Sequence, residues 1–190
     1  MKTDDDIPRI GPNAVTRLSE SLRAAGFDAR SLFVAAGVAN AYDQPPTEMT
    51  AETDVITLYA TLGAKLGADN AARIAADAGR RTGDYLLAHR IPKAVQALLR
   101  PLPAPLAGPI LLRAIRRNAW TFTGRGTVTT AAQGRSFAVT FTKAPTCDVP
   151  TLRAFYAGTF ERLFARLVDP NSTVRPVNTT VSTWRFEITA

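Results

Sequence analysis

The sequence is poor in the residues from which many active sites are built: it has one cysteine, Cys147, and one histidine, His89. A single cysteine excludes a disulfide within the chain and a zinc site made of several cysteines, so no zinc is expected. Sparse cysteine is typical of a reducing compartment, and we expect a cytoplasmic location. A serine triad or a cysteine–histidine pair would have to use His89.

Sequence motifs for cofactors and nucleic acids are also absent. No G-x-G-x-x-G lies between a strand and a helix, no phosphate-binding loop ends in Gly-Lys-Ser/Thr, and no G-x-S-x-G surrounds a serine. No catalytic residue and no cofactor bound through its own motif is therefore predicted. No helix-turn-helix or RNA-binding pattern is present, so nucleic acid is not an expected partner. The longest uncharged apolar stretch, Pro101–Leu112, is too short to span a membrane.

Acidic residues are scarce in one long part of the chain. Residues 71–117 contain nine basic and two acidic residues, which together account for the net charge of +7. No Asp or Glu occurs between Asp84 and Asp148. Such a segment attracts an anion, which could be a ligand carboxylate, an acidic protein or a phospholipid surface. Alternatively, the charges form a solvated face that only aids solubility.

The periodicity of apolar residues divides the chain into helices followed by strands. Residues 1–11 are expected to form a flexible leader, and residues 12–190 a single domain. Four helical segments precede residue 90, and a strongly apolar helix covers residues 149–168. Alternation of period two predicts four strands in two hairpins, near Trp120–Thr123, Phe137–Phe141, Thr173–Val177 and Ser182–Thr189. This order predicts an α+β fold, with N-terminal helices packed on a four-stranded antiparallel sheet in a hairpin–helix–hairpin arrangement.

The helix that runs from Asp69 to His89 carries the most distinctive candidate. His89 follows Tyr85 by one turn on the stripe expected to face inward. Neutral imidazole can ligate a metal, including the central ion of a tetrapyrrole, so His89 is a candidate axial ligand to magnesium. Alternatively it is a buried histidine satisfied by a hydrogen bond, or it is exposed where the helix frays. On the outer face, Asp77 with Arg81 and Arg80 with Asp84 are expected to form ion pairs at i,i+4 spacing.

Residues 91–117 combine prolines, apolar residues and arginines, and we expect short helical pieces there. The apolar residues could cover a ligand pocket, seat a second copy of the chain in a homodimer, or rest on a membrane surface. Closing an ordinary core is the alternative. Arg116 and Arg117, at the end of this segment, could bind ligand carboxylates through charge-assisted hydrogen bonds.

Aromatic residues are the candidates for the walls of a pocket. A planar ligand stacks well on aromatic rings, although each of these residues could equally be ordinary core. The ligand-binding candidates among them are Tyr85, Trp120, Phe122, Phe155 and Tyr156.

Four sequence segments together resemble the bacteriochlorophyll 4-vinyl reductase (BchJ) family. They begin at Gly11 (GPNAV), Gly79 (GRRTGDYL), Ala114 (AIRRNAWTF) and Cys147 (CD, followed by FYAGTFERL from Phe155). The resemblance implies a 4-vinyl reductase domain, similar to small-molecule sensor domains and Golgi transport-particle subunits that often dimerise. It also implies a divinyl protochlorophyllide or chlorophyllide as the ligand, and places His89 and Trp120 where a helix histidine and a strand tryptophan line the pocket of the sensor relatives.

Three hypotheses for function follow. The first is a carrier or accessory protein that binds a Mg-tetrapyrrole intermediate and delivers it to pathway enzymes. The second is the 8-vinyl reductase itself, and the third is a scaffold that docks on a membrane or an acidic pathway enzyme through residues 90–117. The carrier is favoured because reduction of a vinyl group needs a hydride or electron donor for which no binding motif is present. It requires an apolar cavity between the sheet and its helices.

Overall fold

A computed structural model describes residues 7–142, 149–180 and 182–190. Cys147 and Asp148 therefore lie outside the described residues. The helices are α1 (Asn13–Ala24), α2 (Ala29–Ala35), α3 (Ala39–Asp43), α4 (Glu52–Leu66), α5 (Ala68–His89), α6 (Lys93–Leu99), α7 (Ala104–Arg117) and α8 (Pro150–Leu167). The strands are β1 (Arg9–Ile10), β2 (Thr50–Ala51), β3 (Thr127–Gln133), β4 (Ser136–Thr142), β5 (Thr173–Thr180) and β6 (Thr183–Thr189).

The four longer strands form one antiparallel sheet in the order β3-β4-β6-β5. Alternate residues of the central strands point into the core because successive side chains of a strand project to opposite faces. Phe141 pairs with Trp184, and Val139 pairs with Phe186. All four side chains are buried. The prediction of an α+β domain with a four-stranded antiparallel sheet is confirmed.

Helices α5 and α8 pack against each other more extensively than any other pair of described helices. Two glycines permit it: a Cβ atom at Gly158 would overlap the carbonyl of Ala76, and one at Gly79 would overlap the carbonyl of Phe155. The Thr159 hydroxyl donates a hydrogen bond to the Gly79 carbonyl at 3.1 Å. α8 thus lies between the sheet and α5, and its aromatic stripe faces the strands.

The predicted strand at Trp120–Thr123 is wrong. The chain leaves α7 through Asn118 and forms a 3₁₀ helix over Ala119–Thr121. Hydroxyl groups stabilise this turn, because Thr121 donates to the Asn118 carbonyl and Thr123 donates to the Ala119 carbonyl. Such local bonds compete with strand formation. Gly124, at φ +55°, then reverses the chain before β3 begins.

The N-terminal end of the described chain is tied to the helices. Arg9–Ile10, within the segment predicted as a leader, pairs antiparallel with Thr50–Ala51, and Ile10 is 2% exposed. The Gly11 amide donates to the Thr121 carbonyl at 2.8 Å. In the part of the chain that the structure covers, no helix combines the length and the apolar character needed to cross a bilayer.

Candidate functional site

The structure places the eight predicted site residues in three separate settings. Three of them, Phe122, Phe155 and Tyr156, belong to the aromatic core between α8 and the sheet. The Tyr156 ring lies 5.0 Å from Phe141, 5.3 Å from Phe155 and 6.3 Å from Phe122. Its hydroxyl donates to the Phe122 carbonyl at 2.7 Å. These residues pack against one another, and their role as walls of a ligand pocket stays a prediction.

Buried phenols in this core are held in the neutral form. Burial raises the pKa of Tyr156, and the nearby Glu52 carboxylate raises it further. Burial likewise raises the pKa of Tyr59, whose hydroxyl donates to the Ala14 carbonyl at 3.0 Å. Each phenol therefore serves as a hydrogen-bond donor that ties helices to their neighbours.

The predicted apolar cavity between the sheet and its helices is wrong for the described residues, because side chains fill that space, and a carrier that holds its ligand in the interior is not supported. Phe141, Phe160 and Phe186 pack edge to face, with ring centroids 5.3–6.1 Å apart. Trp184 is 1% exposed, and its Nε1 atom has no hydrogen-bond acceptor among the described residues. This packing resembles an ordinary aromatic core. A macrocycle could enter here only if α8 moved away from the sheet.

A small cleft of about 230 Å³ lies elsewhere, beside α1, α2 and α4. Its volume falls below the roughly 300–1,000 Å³ of typical small-molecule pockets. None of the predicted site residues lines it. The residues around the cleft are Leu22, Phe27, Asp28, Ser31, Leu32, Lys65 and Leu66.

His89 and Tyr85 form the second setting, at the C-terminal end of α5. The inward orientation predicted for His89 is wrong, because the ring is exposed and Leu87 is buried instead. The reason lies in α6, where the buried amide of Gln96 donates to the carbonyls of Leu87 and Ile91. α6 thereby covers the Leu87 side of the helix end and leaves His89 in solvent.

The imidazole of His89 is nevertheless held in place. Its ring centroid lies 4.8 Å from that of Tyr85, with the two planes tilted by 39°. The Arg17 guanidinium lies 5.1 Å from the centroid of Tyr85, at cation–π distance. No hydrogen bond joins either imidazole nitrogen to another described residue. His89 is therefore exposed to solvent, with its ring in contact with that of Tyr85.

The third setting is the end of α7, where Arg116, Arg117 and Trp120 are exposed. Trp120 keeps 66% of its surface accessible to solvent, so it does not line an interior pocket. Because Trp120 lies on a 3₁₀ turn, the implied position on a strand is also wrong. These residues can contact only a partner or ligand that approaches from outside.

Two residues that the sequence did not single out lie beside these settings: Arg17 contacts Tyr85, and Glu52 contacts the turn at Arg125. Arg17 reaches Tyr85 from α1, and no local pattern indicates a contact between residues 68 positions apart. Glu52 is 6% exposed and accepts a hydrogen bond from the backbone N–H of Arg125. Burial raises the pKa of Glu52, and the bond from Arg125 offsets part of that rise.

Two curated proteins match nearly the whole chain. A protein of Cereibacter sphaeroides named bacteriochlorophyll synthase 23 kDa chain is 41% identical over 175 residues, covering 88% of this chain and 82% of the relative. Its namesake from Rhodobacter capsulatus is 33% identical over 186 residues, covering 92% and 82%. The chain belongs to the BchJ family. The predicted resemblance is confirmed, and membership in the BchJ family supports a role in bacteriochlorophyll biosynthesis.

Solved structures similar to this BchJ-family protein are H-NOX proteins. The Fe(II) unliganded H-NOX protein from K. algicida superposes with a TM-score of 0.58 at 11% identity, covering 95% of this chain and 96% of that one. A further similar structure, described in terms of heme redox potential and protein-induced porphyrin distortion, has a TM-score of 0.56 at 11% identity, with 92% of each chain covered. At this identity the likeness shows a shared fold alone. No model of a known protein family matches the chain.

Proposed function

We propose that this BchJ-family protein carries a Mg-tetrapyrrole intermediate, divinyl protochlorophyllide or chlorophyllide, and delivers it to the enzymes of bacteriochlorophyll biosynthesis. The pigment binds at the protein surface around His89, which supplies an axial ligand to magnesium. The order β3–β4, α8, β5–β6 supports assignment of the fold to the 4-vinyl reductase domain.

One observation carries the proposal: the sole histidine of the chain is exposed, and its ring lies against that of Tyr85 in a tilted contact with 4.8 Å between the centroids. Neutral imidazole is an effective ligand for the central metal of a tetrapyrrole. A ring held in one orientation loses less entropy on ligation than a mobile one. Arg90 and Lys93 follow within four residues and are exposed, so their charges favour a pigment carboxylate nearby.

A tetrapyrrole buried in the interior fits the residues of this chain poorly. One solved structure with the same fold is described in terms of heme redox potential and porphyrin distortion. Here, however, the only histidine stands outside the aromatic core, and Phe141, Tyr156 and Phe186 occupy the space between α8 and the sheet. A pigment docked on the surface requires no rearrangement of this core.

The proposal is tested by titrating purified protein with protochlorophyllide. The wild type should shift the pigment's absorbance bands with one-to-one stoichiometry at micromolar concentration. His89→Ala should weaken binding by about tenfold or more, the loss expected for one metal–ligand contact. Added imidazole should restore the axially ligated spectrum of His89→Ala. Arg73→Ala, an exposed arginine near the other end of α5, is the matched control and should bind as the wild type does.

Three outcomes would contradict the proposal. A wild type that leaves the pigment spectrum unchanged would overturn the carrier function, and a His89→Ala variant that binds equally well would overturn the site at His89. The third outcome is conversion of divinyl to monovinyl pigment when the complex receives NADPH or another electron donor, which chromatography of the extracted pigment detects. That result would make the protein the 8-vinyl reductase.

A further inference from the structure

We infer that the exposed face of α7 is a docking surface for an anionic lipid bilayer. The face consists of Leu106, Ile110, Arg113, Arg117 and Trp120, called here the α7 stripe. Spacings of four, three, four and three residues place all five on one side of the helix and its 3₁₀ extension. This inference is independent of pigment binding.

Packing of the opposite face fixes the stripe towards solvent. Ala107, Leu111, Leu112 and Ile115 are at most 6% exposed. Gly108 lies so close to β4 that an added Cβ atom would overlap the Phe137 ring. α7 therefore cannot roll to bury the stripe without losing this contact. Among its apolar members, Leu106 is 57% exposed, Ile110 45% and Trp120 66%.

Charge makes the stripe complementary to an anionic surface. Arg113 and Arg117 are exposed, and neither forms an ion pair with any residue that the structure describes. The chain has no acidic residue from position 85 to 147. Arg116, also exposed, adds a further cation beside the stripe.

The arrangement of apolar and basic residues favours a lipid surface over other occupants. A bilayer interface offers phosphate and hydrocarbon side by side, so arginines flanked by Leu106, Ile110 and Trp120 can contact both at once. Tryptophan is enriched at the headgroup level of membranes, and basic amphipathic helices bind there in the plane of the interface. A second copy of the chain would place like charges against each other, which opposes a symmetric dimer through this face.

Vesicle flotation tests the inference with the full-length protein. Wild type should float with vesicles of phosphatidylglycerol and phosphatidylcholine and should stay unbound with phosphatidylcholine alone. Arg113→Gln with Arg117→Gln should lower the partition coefficient by about 25-fold, taking about fivefold for each arginine. Arg73→Gln with Arg166→Gln removes the same charge from exposed arginines on other helices, and should lower it by less than about threefold.

Tryptophan fluorescence gives a second readout that an unfolded variant could not mimic. The chain has two tryptophans, of which Trp184 is buried and Trp120 exposed. Anionic vesicles should shift the emission to the blue, and Trp120→Phe should abolish that shift while leaving flotation detectable. Leu106→Ser should reduce partition by about tenfold through lost apolar burial, whereas Val34→Ser, an equally exposed apolar residue on α2, should not.

The inference is overturned if wild type does not float with anionic vesicles, or if the two double variants lose binding equally. It is also overturned if wild type binds an acidic polypeptide such as polyglutamate, or dimerises through this face in sedimentation, without binding vesicles. Release by high salt, together with retained binding of the control variants, supports it.

Discussion

Arginines on two faces of this molecule have very different surroundings. On the α5–α8 face, Arg81 contacts Asp77 at 2.7 Å, Arg80 contacts Glu161 at 3.4 Å, and Arg162 contacts Asp84 at 3.3 Å. On the α7 face, Arg113, Arg116 and Arg117 have no acidic partner among the described residues. Arginines thus form ion pairs on the α5–α8 face, whereas those on the α7 face are exposed to solvent.

The difference shows that a local excess of basic residues does not by itself decide whether an arginine is paired. The acidic residues on neighbouring elements decide it. The sequence predicts an Asp77–Arg81 pair within α5, which is confirmed. It also predicts Arg80 with Asp84, but Arg80 pairs with Glu161 on α8 and lies 4.0 Å from Asp77, and Asp84 pairs with Arg162 on α8. Arg113, Arg116 and Arg117 of α7 form no ion pair with any described acidic residue, so their charge remains available to a partner.

Separating α5 from α8 should destabilise the protein more than any other change proposed here. Gly158→Ala should lower the free energy of unfolding by about 3 kcal/mol or more, because the new methyl group would overlap the Ala76 carbonyl and force the helices apart. Urea denaturation followed by circular dichroism measures the change.

Gly63→Ala in α4 is the matched control for this substitution. There the nearest atom outside the helix, Thr151 Cγ2, lies 3.5 Å from the new methyl group, which is ordinary contact. Alanine should then stabilise by about 0.5–1 kcal/mol through its greater helix propensity. Equal effects of the two substitutions would show that the α5–α8 contact is not a special constraint.

A smaller loss of stability is expected when Asp77, which joins α1 to the α5–α8 face, is replaced. Asp77 accepts hydrogen bonds from Ser21 on α1 at 2.8 Å and from Arg81 at 2.7 Å. Asp77→Asn should lower the free energy of unfolding by about 1–2 kcal/mol, since a neutral amide replaces the carboxylate that accepts the bonds from Arg81 and Ser21.

The pH dependence of the Asp77 variant tests the electrostatic origin of this loss. Burial alone would raise the pKa of Asp77, but the hydrogen bonds from Arg81 and Ser21 outweigh it and lower the pKa. The carboxylate therefore contributes stability above its ordinary pKa, and that contribution is lost as pH falls through the folded-state value. The gap between wild type and Asp77→Asn should close below about pH 4. A gap that persists in acid would assign the effect to packing.

A third prediction concerns the turn that joins the α7 face to the sheet. Burial raises the pKa of Glu52, so its ionisation costs stability as pH rises through the folded-state pKa. Glu52→Gln retains an acceptor for the Arg125 amide. We expect it to raise the free energy of unfolding at pH 7 by less than about 1 kcal/mol. The gain should vanish below the ordinary pKa of a glutamate; a loss at neutral pH would contradict it.

Most of the fold could be predicted because its patterns are local. The period of Phe137, Val139 and Phe141 predicts β4, and the stripe on α8 predicts a buried helix, since each element repeats its preference over many residues. The turn at Trp120 could not be predicted from alternation. Hydroxyl bonds to Asn118 and Ala119 favour a 3₁₀ helix over a strand there.

The candidate site was harder to predict because it depends on contacts between distant elements. Residue types and spacing select His89 and Tyr85 as a pair, and the structure places their rings in a tilted contact. Which way His89 points is decided by Gln96 on α6, which caps the end of α5. The aromatic side chains of α8 and of the strands together fill the space between α8 and the sheet. Because this depends on all of them at once, the spacing within one element does not predict it.

Charge removal on α7 and on α5 should affect stability differently, because only the arginines of α5 have acidic partners among the described residues. Replacing Arg113, Arg116 and Arg117 together by glutamine should change the free energy of unfolding by less than about 0.5 kcal/mol, as surface substitutions without partners do. Arg80→Gln with Arg81→Gln removes arginines that have acidic partners and should cost about 0.5–1 kcal/mol, the usual value of exposed ion pairs. Added salt should shrink only the second difference, because screening weakens ion pairs. If the α7 variant proved the less stable one, the arginines of α7 would stabilise the fold. Their exposure would then no longer support binding of an external partner.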